Sequence, residues 1–361
     1  MHEYRICLPR YGDVQPKKSK LLTVDDGYGY RGKGRVKTYL QGAIEILENF
    51  FDTNLGASGL RDFLERHDCI EDWILASDYS LTDKNKPNKI MCISIMPYTK
   101  SFSSIKDEVD THAPKDIKNV KYLNKEFVSY LGSDSVFHIC FVITGVAALG
   151  ETKEDVGEIA RNFLKLYEGL IKKSPSKKDH YSKAMTGIKK LIDDTQRKHC
   201  SFEIFQNMHF LSIIVAFLYY YINKSTCASK IAWFSDRDPM TTKYKNLPFE
   251  FLVTYYDLIS GLKKNNKERV EIFIGSPEAS GPMWYDAITR IPDYIAGSFA
   301  DWKIDKNECK NKFSQIIEKV GANKKTLILL RIGFHKENIE FIHHNIRNVP
   351  HFNDNVATDD S

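Results

Sequence analysis

At 361 residues the chain can bury a full core in one large or two modest domains, and its 42% hydrophobic and 27% charged content is that of an ordinary globular protein. Its 52 Lys and Arg against 47 Asp and Glu leave +5, a bias that permits nucleic-acid binding through local patches without demanding it. Seven cysteines, scattered, odd in number and never spaced Cys-x-x-Cys, argue against a secreted disulfide framework and a structural zinc site and point to a reducing cytoplasm.

Residues 1–40 read as loop-rich and basic, with no apolar signal stretch, and include Gly27-Tyr-Gly-Tyr-Arg31-Gly-Lys33-Gly-Arg35. Those glycines lack the Gly-Lys-Ser/Thr ending of a phosphate loop, so the segment reads as a surface loop whose basic and aromatic residues could track a strand of nucleic acid. Leu40, Ile44, Leu47 and Phe51 have helical spacing, and residues 58–70 form a short charged helix candidate. From Trp73 the pattern changes to strands. Trp73–Ser80 is the first, Lys84-Asn-Lys-Pro-Asn88 supplies turn residues, Ile90–Pro97 is the second and Val136–Thr144 the third.

A helical block follows. Val156, Ile159, Phe163 and Leu166 make an apolar stripe, 174–179 reads as a linker, and a lysine-rich helix is expected at about 181–198. Met208–Ile222 is apolar all round but shorter than the ~20 residues a membrane crossing needs, so it reads as a buried central helix with no membrane partner. A fourth strand at 230–236, a helix at 247–262, a fifth strand at 270–275, a helix opened by Pro292-Asp293 and a strand at 326–333 complete the pattern. The polar tail from Asn345 is expected to be disordered. The order predicts an α/β protein, an antiparallel meander followed by parallel strands joined through helices in a mixed sheet covered on both faces.

Three aspartates carry the chemistry. Asp78 and Asp236 close apolar strands, and Asp293 stands at the head of a helix. Carboxylates converging from such positions suit a divalent-metal phosphodiesterase, because Mg²⁺ and Mn²⁺ take hard oxygen ligands. Each also has an ordinary role open to it: a β-turn for Asp78, a turn or cap near Asp238-Pro239 for Asp236, and helix-dipole pairing for Asp293. Asp238 is itself an alternative ligand. His343-His344, with His335 upstream, do not suggest a shared ion, since neighbours on a strand point to opposite faces. The turn-rich loop Ser276–Pro282, at a strand's carboxyl end, is expected near the site. Cys92 and Cys140 read as packing residues.

This order of strands and aspartates resembles the ribonuclease-H-like fold. Pro292-Asp293-Tyr-Ile-Ala-Gly297 is similar to the closing motif of a poorly characterised bacterial family of that fold, whose members are associated with mobile elements and defence systems. The resemblance covers 70–303. It implies a mixed five-stranded sheet with a helical insertion at about 150–225, and it leaves out 1–69, read as a basic extension with helices, and 304–344, read as a C-terminal helix and strand. It also implies a cytoplasmic Mg²⁺- or Mn²⁺-dependent nuclease in which Asp78, Asp236 and Asp293 hold metal, a helix glutamate such as Glu158 or Glu203 assists, and the activity serves antiviral defence. In such a sheet the first and fourth strands are neighbours, so Asp78 and Asp236 would face each other across one ladder spacing of ~5 Å. Arg31, Lys33, Arg35, Lys37, Lys189 and Lys190 would grip the DNA or RNA backbone. The alternatives are a non-catalytic subunit or recognition module with a protein partner in a defence complex, and an enzyme acting on a small nucleotide.

Overall fold

The computed structural model describes residues 44–45, 47–52, 58–144, 152–197, 201–263, 267–278, 280–323, 325–334, 339–344 and 351–352. After a helical stretch at 47–52, the elements begin with α1 (Ser58–Arg66), β1 (Asp72–Ser80), β2 (Lys89–Pro97), α2 (Phe102–His112), α3 (Lys125–Leu131) and β3 (Phe137–Thr144). Three long helices follow: α4 (Lys153–Lys173), α5 (Lys178–Thr195) and α6 (Phe202–Ser225). The chain continues through β4 (Lys230–Ser235), α7 (Pro239–Thr242), α8 (Leu247–Lys263), β5 (Glu271–Gly275) and α9 (Asp286–Asp301). It closes with β6 (Glu308–Cys309), α10 (Asn311–Ile316), β7 (Leu327–Phe334), β8 (Ile339–His344) and β9 (His351–Phe352).

The main sheet has the order β5-β4-β1-β2-β3-β7-β8. β1, β3, β4, β5 and β7 run in one direction, and β2 and β8 run against them. The sheet is therefore α/β and mixed, as expected, but seven strands wide instead of five. β7 joins it because the apolar run Leu327–Leu330, followed by Arg331 and Ile332, pairs in parallel with β3. His351 and Phe352, within the tail expected to be disordered, pair in parallel with Glu308 and Cys309.

Strand alternation divides the core in two. Trp73, Leu75, Met91, Ile93, Phe141, Ile231 and Trp233 face a helical layer that includes α4, α5, α6 and α8. Phe50, Phe51, Leu60 and Phe63 pack into this same layer, so residues from before the first strand belong to the core. Ile74, Ala76, Cys92, Cys140 and Phe234 face α2, α3, α9 and α10. α6 is buried along nearly all its length, which explains its lack of a polar face. By length and composition it is apolar enough to cross a membrane, yet 83% of its most apolar window lies inside the protein.

Two helices between β2 and β3 escape the sequence pattern. α2 buries only Ile105 and Val109, and α3 spans less than two full turns; both are held by caps. The Ser101 hydroxyl accepts from the amide of Ser104, and the Asn124 side chain accepts from the amides of Glu126 and Phe127.

Candidate active site

β1 and β4 are parallel neighbours, paired in register up to Ser77 and Ser235. One step further, the amide of Asp236 donates to the carbonyl of Ser77 at 2.9 Å, so Asp78, still within β1 opposite Cys92, and Asp236, just past β4, lie side by side. Period-two alternation puts both on the α9 face. The opposite face at this point is a polar clamp. Tyr79 Oη lies 2.6 Å from Ser77 Oγ and 2.9 Å from Ser235 Oγ, and the Trp233 indole donates to Ser77 Oγ at 2.9 Å. The clamp fixes the two strand ends, and with them the aspartates above.

Asp78 is 6% exposed, and its carboxyl lies close enough to that of Asp236 to feel its charge. Burial holds Asp78 well above the usual carboxylate range, and the charges of Asp293 and Asp236 push it in the same direction. Asp293 is pushed up to about 7 by burial, despite an opposing hydrogen bond from the amide of Ile117 to its Oδ2 at 2.8 Å.

Asp293 does not head its helix. α9 begins seven residues earlier, at Asp286, because Ala287, Ile288 and Ile291 carry an apolar stripe upstream of Pro292 into the core. Pro292 therefore sits inside the helix. The surface from Arg290 to Gly297 docks the segment that follows α2. Arg290 donates to Asp110 and to the carbonyl of Ala113, Tyr294 Oη donates to the carbonyl of Lys115, and Asp293 receives Ile117. At Gly297 a Cβ would lie 2.6 Å from Ile117 Cγ2, so only glycine leaves room for this segment. The motif Asp293-Tyr-Ile-Ala-Gly297 thus has a packing explanation of its own.

Asp286 is the residue that sequence reasoning missed. Two helical turns before Asp293, it lies on the same face, and burial raises its carboxyl with a contribution from Asp236. Its Oδ2 also accepts from the amide of Met283, closing the turn into α9. The i, i+7 spacing of Asp286 and Asp293 was the available signal.

The remaining candidates lie elsewhere. Asp238 caps α7: its Oδ1 accepts from the amide of Met240 at 2.8 Å, and Thr241 Oγ1 accepts from the amide of Asp238, completing a capping box. Glu158 is exposed on α4, whose Val156 and Ile159 pack on the opposite face of the sheet from Asp78. Glu203 is taken by Lys89 at 2.6 Å. Lys189 and Lys190 are exposed on α5, in that same opposite layer, and Lys190 Nζ donates to the carbonyl of Lys243. The lysine of α5 that faces a concavity is Lys183, which lines a cleft of about 440 Å³ with Lys245, Asn246, Phe249 and Ser276. Arg31, Lys33, Arg35, Lys37 and His335 lie outside the described residues. The loop after β5 does approach the carboxylates: Arg237, next to Asp236, donates to the carbonyls of Glu278 and Gly281.

Known protein families, curated proteins and solved structures were compared with the chain, and none matches. The site's chemistry therefore rests on its own residues. Its donor set is entirely carboxylate oxygen, which suits a hard divalent cation. Among the described residues, no group of three or more His, Cys, Asp or Glu side chains is arranged to close on one ion. The Asp78–Asp236 pair brings two carboxyls together at the end of the β1–β4 ladder, one of them buried.

Proposed function

We propose that the protein is a metal-dependent nuclease with a ribonuclease-H-like core, hydrolysing phosphodiester bonds of DNA or RNA. One observation carries the reading: Asp78 on β1 and Asp236 just past β4 lie side by side on adjacent parallel strands, beneath a helix bearing Asp293 whose charge also reaches Asp78. The strand order β3-β2-β1-β4-β5, with β2 reversed, supports the fold assignment. Asp78 and Asp236, with Asp293, would hold Mg²⁺ or Mn²⁺, and Asp286 is the best-placed further carboxylate. The ion would supply charge neutralisation at the phosphate and an acidified water. The chain's own contribution is to hold the carboxylates at fixed positions through the Ser77–Tyr79–Ser235–Trp233 clamp and to keep a proton on Asp78 when no cation is present. The five described cysteines are free thiols, in keeping with a cytoplasmic setting, and the defence role follows from the sequence resemblance alone.

The test is cleavage of labelled single- and double-stranded DNA and RNA with Mn²⁺, comparing wild type with Asp78→Asn and Asp236→Asn. Loss of cleavage in both variants, with folding intact, is the expected result. A wild type that cuts no polymer and gains no stability from Mn²⁺ or Mg²⁺ would sink the proposal.

A second reading, a non-catalytic module of the same fold, is favoured by one contact. The Ile117 amide occupies Asp293 Oδ2, giving that carboxylate a structural use. In this reading Asp293→Asn loosens the 113–117 segment and leaves any metal response unchanged.

A further inference from the structure

Of the four tryptophans, Trp73, Trp233 and Trp302 are at most 5% exposed, whereas Trp284 is 65% exposed. Scattered exposed apolar residues are common, so exposure alone says little. The setting of Trp284 says more. Its ring is braced by Phe102 at 5.0 Å, Phe234 at 5.3 Å and Tyr285 at 5.4 Å between centroids. The brace needs glycine at 275, where a Cβ would lie 2.3 Å from Phe234 Cδ1 and 2.9 Å from Tyr285 Cε1. The turn below it is pinned by the Met283 amide on Asp286 and by Tyr285 Oη, which donates to the carbonyl of Ser235. This is a rigid indole presented to solvent.

It is also presented beside the carboxylates. Phe234 stands two residues before Asp236 on β4, hence on the same face of the sheet, and Asp286 stands two residues after Trp284. Phe273, 46% exposed, pairs in register with Ala232 and so puts a second exposed ring on that face. An aromatic plane fixed beside a phosphodiester-cutting centre suits the face of a nucleobase, and stacking of this kind is tolerant of sequence. Within a duplex both faces of a base are already covered by its neighbours. An unpaired nucleotide offers a free face.

We propose that Trp284 is a base-stacking platform and that the substrate is an unpaired nucleic-acid strand. The proposal rests on the nuclease reading above, since that reading puts a phosphodiester at Asp78 and Asp236.

The experiment uses the full chain carrying Asp236→Asn, so that bound polymer is not cut, and follows tryptophan emission during titration with single-stranded DNA, single-stranded RNA, a blunt duplex and a mononucleotide. Because the other three indoles are buried, quenching reports on Trp284. Expected are quenching by the unpaired strands and a weakening of their binding by roughly 5- to 150-fold in Trp284→Ala, from the usual contribution of a stacked base. Duplex binding should not change, and Trp284→Phe should recover part of the loss. Equal binding by Trp284→Ala, an equal loss for duplex and single strand, or quenching by the mononucleotide alone overturns the proposal. If Trp284→Ala also cuts like wild type when Asp236 is intact, the nuclease reading survives and only the platform falls. Absence of nucleic-acid binding in every arm removes both.

Discussion

The amide of Ile117 donates to Asp293 Oδ2 at 2.8 Å, and the same residue's Cγ2 occupies the space that a Cβ at Gly297 would need. Polar and apolar ends of Ile117 are thus held by one helical face, one turn apart. The arrangement joins the candidate site to the segment after α2. It also means that Asp293 works as a structural acceptor whatever else it does.

Gly297→Ala should displace Ile117, because the new methyl would stand 2.6 Å from its Cγ2. Overpacking of this kind costs about 1–3 kcal/mol. Urea unfolding should show the midpoint lowered with an unchanged slope. A stability equal to wild type would mean that the 113–117 segment yields without strain and that the packing account of the motif is wrong.

Much of this fold could be read in the sequence because its strands are long apolar runs and α6 is apolar all round. β1 to β5 and β7 begin and end within a residue or so of where alternation and turn residues predict. α2 and α3 were missed because a helix that buries two residues, or one less than two turns long, has almost no periodicity to detect. Asp78 and Asp236 were legible for a different reason: each follows an apolar run, and parallel pairing of β1 and β4 brings them together, although β1 continues past Asp78 to Ser80. Asp293 was found but placed wrongly on its helix, since Pro292 looks like a first-turn proline and is an interior one. Asp286 was hidden by its ordinary look as a residue beginning a helix. Glu158 is exposed on α4 and Asp238 caps α7, positions that residue type alone, without topology, could not show.

Ser77→Ala tests the clamp beneath the site. The substitution leaves the buried Trp233 indole N–H without its acceptor and removes one of the two hydroxyls held by Tyr79. An unsatisfied buried donor costs about 1–3 kcal/mol. The expected result is a loss of that size in urea unfolding, with Tyr79→Phe showing a smaller loss because the indole keeps its partner. Equal stability of Ser77→Ala and wild type would show that the clamp contributes nothing.

The carboxylate cluster sets a pH dependence with a definite sign. Asp293 is raised to about 7 and Asp78 well above its usual range, chiefly by burial, while both titrate near 3.9 in the unfolded chain. Between those values the folded state keeps protons that the unfolded state has released. Stability therefore falls as pH climbs from about 4 toward 7 and stays lower above. On the nuclease reading, a bound cation would take over the role of those protons. Thermal unfolding in EDTA should show Tm dropping from about pH 5 to pH 7.5, and Mn²⁺ should restore it chiefly at the upper end. A Mn²⁺ effect equal at both ends would argue that the ion binds elsewhere.

Asp78→Asn separates a metal site from a turn aspartate most directly. The amide keeps the size of the carboxyl and cannot ionise beside Asp236, and its NH₂ can donate to that carboxylate. If the cluster is held for function at the expense of stability, the variant should be more stable than wild type in EDTA, by about 0.5–2 kcal/mol. It should also lose its response to Mn²⁺ and its cleavage. A structural aspartate predicts the opposite, since replacing it costs stability and leaves Mn²⁺ irrelevant to both proteins. Unfolding curves of wild type and Asp78→Asn, each with EDTA and with Mn²⁺, distinguish the two because gain in EDTA and loss of the metal response must occur together.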